Sequence, residues 1–83
     1  MNSHTPRSRV NLRRAFRSDR LRGVYDRAIA AGWTARVLGN GHVGMYAPDG
    51  TTQLTLSITA NDTGRAAQNS ESALKRWLKE NQR

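Results

Sequence analysis

This chain of 83 residues has no cysteine, two prolines, five aromatic residues, and six carboxylates against fourteen lysines and arginines. Without cysteine there can be no disulfide, no thiolate zinc site and no cysteine nucleophile. Uncharged stretches such as Val37 to Tyr46 are glycine-rich and far shorter than the ~18 apolar residues of a membrane span. The basic start of the chain is not followed by the apolar core of a secretory signal, so a cytoplasmic address and no membrane association are expected. A chain of this length buries only about 60–65% of its unfolded surface, so one small core is expected.

Positive charge is what the chain has in excess, and it is unevenly spread. Of the net +8, residues 1–22 hold seven arginines against Asp19, a balance of +6, which leaves +2 for residues 23–83. The expected organisation is a basic arm over 1–17, partly disordered or forming a short helix, ahead of a nearly neutral folded domain over 18–83. Arginine forks match phosphate geometry and release counterions on binding, so Arg13, Arg14 and Arg17 are candidate contacts to a polyanion. The plain alternative is a solvated tail. An anionic membrane surface is less favoured, because only Val10, Leu12 and Phe16 offer an apolar stripe in the arm.

The spacing of apolar residues predicts the elements. Leu12 and Phe16 lie four apart in a short helix over Val10–Arg17. Ser18 is a plausible cap for a helix carrying Leu21, Val24, Tyr25, Ala28 and Ile29, which Ala31-Gly32 ends. A three-stranded antiparallel meander follows. Folding back across Gly39-Asn40-Gly41 pairs Val37 with Val43, Ala35 with Met45 and Trp33 with Ala47. The turn Pro48-Asp49-Gly50-Thr51 then pairs Met45 with Leu54 and Val43 with Leu56, with Ile58 on the same apolar face. Asn61 or Asp62 is expected to cap a second helix lined by Ala66, Ala67, Ser70, Leu74, Trp77 and Leu78; Gly64 weakens its first turn, so a start near Ser70 is the alternative. Helix, three strands and helix make an α+β, two-layer sandwich with Trp33 and Trp77 in its core.

The same parity defines the opposite face. Its expected rows are Leu38, His42 and Ser57; Arg36, Gly44 and Thr55; and Thr34, Tyr46 and Gln53. Gly44 leaves a gap through which the Arg36 guanidinium can lie toward His42 and Tyr46. Histidine is the side chain best suited to proton transfer near neutrality, and a cation beside it steadies charge on a phosphate, so the cluster fits attack by a ribose 2′-hydroxyl. DNA lacks that hydroxyl. His42 is the candidate catalytic residue, and Arg36, Tyr46 and Ser57 are candidate substrate contacts. The plain reading is that one face of an antiparallel sheet is polar because water covers it.

Other chemistries find little purchase. His4 and His42 are far apart and the carboxylates do not group, so neither a metal nor any other cofactor is expected. Gly39-Asn40-Gly41 joins two strands and lacks the following Lys-Ser or Lys-Thr of a phosphate-binding loop. Ser57 opposite His42 has no visible orienting carboxylate or oxyanion hole for a hydrolase.

From Leu21 to Leu78 the chain resembles the HicA family of small toxins and the HicA-like proteins of actinobacteria and their phages. The shared features are Ala31-Gly32-Trp33 opening the sheet, Gly39-Asn40-Gly41-His42 at the hairpin, Tyr46-Ala47-Pro48-Asp49-Gly50 at the next turn, Leu54, Leu56 and Ile58, and Thr59-Ala60-Asn61-Asp62 before the last helix. The resemblance implies a fold like that of double-stranded RNA-binding domains, cleavage of messenger RNA by a histidine at the position of His42, and an acidic HicB-like antitoxin covering the site. The chain has Gly41 and Val43 where typical toxin motifs have serine and often a second histidine. A non-catalytic phage or bacterial module that binds nucleic acid or a host protein through the same face is the alternative, and a purely structural role against an acidic partner is a third.

Overall fold

The computed structural model describes residues 12–81. Residues 12–15 form a helical turn, followed by α1 (Asp19–Ala30), β1 (Thr34–Gly39), β2 (His42–Tyr46), β3 (Gln53–Ser57) and α2 (Arg65–Asn81). The three strands form an antiparallel sheet in the order β1-β2-β3. This is the expected α+β order.

Each element has a local cause. The Ser18 hydroxyl accepts the Leu21 N–H at 3.1 Å and so caps α1, whose Leu21, Val24, Tyr25 and Ala28 enter the core. The helix ends where Gly32 takes φ +96°, its N–H bonding to Ile29 O and that of Trp33 to Ala28 O, both a Schellman closure. Asn40 and Gly41 both have positive φ, as a two-residue type I′ hairpin requires. The loop is therefore shorter than the three-residue turn expected. Gly39, at φ +94°, pairs with His42, and a register shift between Val37 and Gly39 leaves Leu38 bulged.

The core is built on Phe16, Leu21, Val24, Tyr25, Trp33, Val43, Met45, Leu56 and Leu74. Phe16 anchors the end of the basic arm. It is buried against Tyr25, with ring centroids 5.8 Å apart, and the Arg17 N–H bonds to Ile58 O at 2.9 Å, so the chain joins the folded body before residue 18. Val37 pairs with Val43 as expected yet remains exposed, because α2 packs on β3 and α1 only grazes β1. Parity assigned its face; helix coverage decided its burial.

Two carboxylates lock the layers together. Asp49 accepts from Thr51 N–H, Thr52 N–H, the Thr52 hydroxyl and Trp77 Nε1–H at 2.7–3.0 Å, tying the β2–β3 turn to α2. Trp77 in turn meets Trp33 edge-on at 5.2 Å. Asp62 accepts from the Ser18 hydroxyl and from Arg20 N–H, so it serves the start of α1 rather than capping α2. The second helix begins at Arg65, ahead of Ser70, despite Gly64.

The backbone N–H of Thr52, the Trp77 indole and the Thr51 N–H hold the Asp49 carboxyl far below the usual range, and the Ser18 hydroxyl and Arg20 N–H lower that of Asp62. A lowered folded-state pKa adds stability that is full above the unfolded value of about 3.9 and is lost as pH falls from there. Urea midpoints should therefore drop on acidification below about pH 4, and the drop should be shallower in Asp49→Asn. Phe16→Ala should cost about 3–5 kcal/mol in urea unfolding.

Candidate nucleic-acid interface

Because Val43 and Met45 face the helices, His42, Gly44 and Tyr46 of the central strand face the other way. Their neighbours are set by the two ladders. Arg36 lies opposite Gly44 and Gly44 opposite Thr55; Thr34 and Gln53 flank Tyr46; Ser57 lies opposite His42. Leu38 is displaced from the expected His42 row by the bulge, and Gly39 takes its place. Arg36, His42, Thr34, Gln53 and Thr55 are exposed, whereas Tyr46 and Ser57 are half-buried.

The space above Gly44 is filled differently from expectation. A Cβ on Gly44 would meet the Tyr46 hydroxyl at 2.5 Å and the adjoining ring carbon at 2.9 Å, so the tyrosine leans along its own strand and its hydroxyl end covers the glycine. The gap is therefore occupied by Tyr46 and is not open to Arg36. One consequence is that the phenol reaches the row shared by Arg36 and Thr55, one step from His42.

Among the described residues, no hydrogen bond or ion pair engages the side chains of Arg36, His42 or Tyr46. Ser57 Oγ instead shares a hydrogen bond with Thr59 Oγ1 at 3.2 Å. The carboxylates are committed elsewhere: Asp19 to Arg22, Asp26 to Arg13, Asp49 to its turn, Asp62 to Ser18 and Glu71 to Arg20. The face thus offers an imidazole, a guanidinium and a phenol with no neighbouring anion paired to them. Anionic ligands are the chemistry it suits.

The structure does not bring the arm's arginines together with His42. Arg13 Nε donates to both oxygens of Asp26, at 3.0 and 2.9 Å. Arg13 and Arg14 line a cavity of about 470 Å³ with Asp19, Arg22, Gly23 and Asp26 of α1. Those α1 positions lie away from its buried residues, so the helical layer separates the cavity from the open sheet face. Arg17 is exposed and is fixed by its backbone at the end of β3, next to the residue that follows Ser57. His42 also borders a small apolar groove at the hairpin end, which the sequence pattern did not reveal because it forms where Val37 escapes helix cover.

Among the described residues, no group of three histidine, cysteine or acidic side chains could hold a metal ion. No described helix is long and apolar enough to cross a membrane. The chain matches no family model, no curated protein and no solved structure.

Gly44→Ala should push the Tyr46 ring off the strand, seen as a change in its ring-proton shifts, at a stability cost of roughly 1 kcal/mol. In a Tyr46→Ala background the same substitution should lose that cost, and a double-mutant cycle reads the difference.

Proposed function

We propose that this protein binds RNA across the open face of its sheet and cuts it there, with His42 moving the proton, in the manner of a HicA-like mRNA-cleaving toxin. The observation that carries this reading is the strand register, which gathers His42, Arg36, the Tyr46 hydroxyl and Ser57 on the face opposite the helices. The order of motifs from Leu21 to Leu78 that resembles the HicA family adds to it. Messenger RNA is the substrate, no cofactor enters the reaction, and the site of action is the bacterial cytoplasm.

In this reaction the His42 imidazole takes the proton of a ribose 2′-hydroxyl. The freed oxygen attacks the adjacent phosphorus, the 5′-oxygen of the next nucleotide departs and takes up a proton, and a 2′,3′-cyclic phosphate remains. Arg36 pairs with the phosphate and offsets the charge building on its non-bridging oxygens. Tyr46 orients the nucleotide from the middle row, and Ser57 contacts it beside His42. Arg14 and Arg17 add attraction that is independent of sequence, while Arg13 contributes less because Asp26 already neutralises it. An acidic HicB-like antitoxin would silence the site by covering this face.

A second reading keeps the RNA and drops the chemistry. It is favoured by one observation: no described group hydrogen-bonds to the His42 ring to fix its tautomer, as a committed acid/base usually requires. Inducing the wild-type chain and His42→Ala in a bacterial host separates the two. Growth arrest with RNA cleavage, lost by about 10²-fold or more in the mutant, is the expected result. RNA binding with no cleavage from either chain would leave the binding module.

A further inference from the structure

Val37 and Leu38 are the two large hydrophobic side chains that stand exposed among the described residues, at 64% and 48%. Both lie on β1, an edge strand that pairs with β2 on one side and with no described strand on the other. Such an edge presents unpaired N–H and C=O groups that can template another strand. Natural edges are usually kept short, charged, bulged or covered; this one has Arg36 and the bulge at Leu38, yet leaves two adjacent apolar side chains uncovered beside them.

A groove opens beside it. Leu12, Val37, Val43 and Ile58 form most of its wall, with Gly41 and His42 at the hairpin, and its volume is about 170 Å³. Small-molecule sites commonly span about 300–1,000 Å³, so this groove has room for one apolar side chain and little more. Arg36 directly precedes Val37 on the same edge strand, and by the alternation of β1 it stands on the other face from the groove. Five of the six carboxylates are already engaged within the chain, and the sixth, Glu80, lies near the end of α2. The Arg36 guanidinium on this strand therefore has no internal answer among the described residues.

Those observations select the occupant. A second copy would set one chain of net +8 against another, with Arg36 brought close to its own equivalent. A nucleic acid can answer the charge but has neither amides to continue the ladder nor an aliphatic side chain for the groove. We infer that the free edge of β1 accepts an extended acidic segment of a partner protein as a fourth strand, seating one apolar side chain of that segment over Val37 and the carboxylates that alternate with it against Arg36. This surface is the edge of the sheet and shares Arg36 with the open face, so a strand bound here and an RNA bound there compete for that guanidinium.

The probe is a capped seven-residue peptide alternating glutamate and valine, titrated into the isotope-labelled full chain and followed by amide shifts and hydrogen exchange. The β1 amides left free by β2 should shift and exchange more slowly, and the lysine-valine counterpart should bind at least about tenfold more weakly. Val37→Ser, at an exposed site that leaves the fold intact by circular dichroism, should weaken the glutamate peptide by a similar factor. Arg36→Glu should reverse the preference between the two peptides. The inference is overturned by the absence of β1 protection at millimolar peptide, or by shifts scattered over arginines without slowed exchange. It is equally overturned if the β1 amides respond to protein concentration alone, which would mean a second copy, or to an oligoribonucleotide and not to the peptide.

Discussion

The alternation of the central strand is the constraint on which the rest of this structure depends. Val43 and Met45 are the side chains that the two helices bury, and their burial forces His42, Gly44 and Tyr46 onto the opposite surface. A slip of one residue would expose the core and bury the imidazole. The polar cluster is thus a by-product of packing in its position, while its composition is free to serve a ligand. The two carboxylate locks then hold this geometry from outside the sheet, Asp49 at the β2–β3 turn and Asp62 at the start of α1.

Much of this was legible because it follows from short-range rules. The pairings Val37 with Val43, Ala35 with Met45, and Met45 with Leu54 are those that two turns and a period of two dictate. The Ser18 cap and the Gly32 stop of α1 rest on side-chain and backbone chemistry within a few residues. What escaped depended on distant parts of the chain. Nothing local tells Asp62 to bond to Ser18, 44 residues away, rather than to its own helix. Nor does local pattern say that α1 will stop short of the hairpin end and leave Val37 in solvent.

The candidate site divides at the same two levels. Strand parity dictates which side chains share the open face, but not which of them touch. The gap above Gly44 follows from its missing side chain, but the occupant is Tyr46, two residues along the same strand, because leaning onto a glycine covers ring surface that would otherwise face water. The bulge at Leu38 came from the preference of Asn40-Gly41 for a two-residue turn, which leaves Gly39 to be absorbed into the strand. The arm's arginines were grouped by charge, and the fold sorted them by their neighbours: Arg13 to Asp26, Arg17 to the end of β3.

The meeting of Trp33 and Trp77 has an optical consequence. The two indoles are the only ones in the chain and stand 5.2 Å apart, joining the start of the sheet to the last helix. Intrinsic emission excited at the red edge of the protein band therefore samples one small region, and its change on unfolding reports a single event, the parting of α2 from the sheet. Neither ring lies on the open polar face, so a ligand bound there leaves this signal nearly silent. The molecule carries its own gauge of folding, separate from any gauge of occupancy.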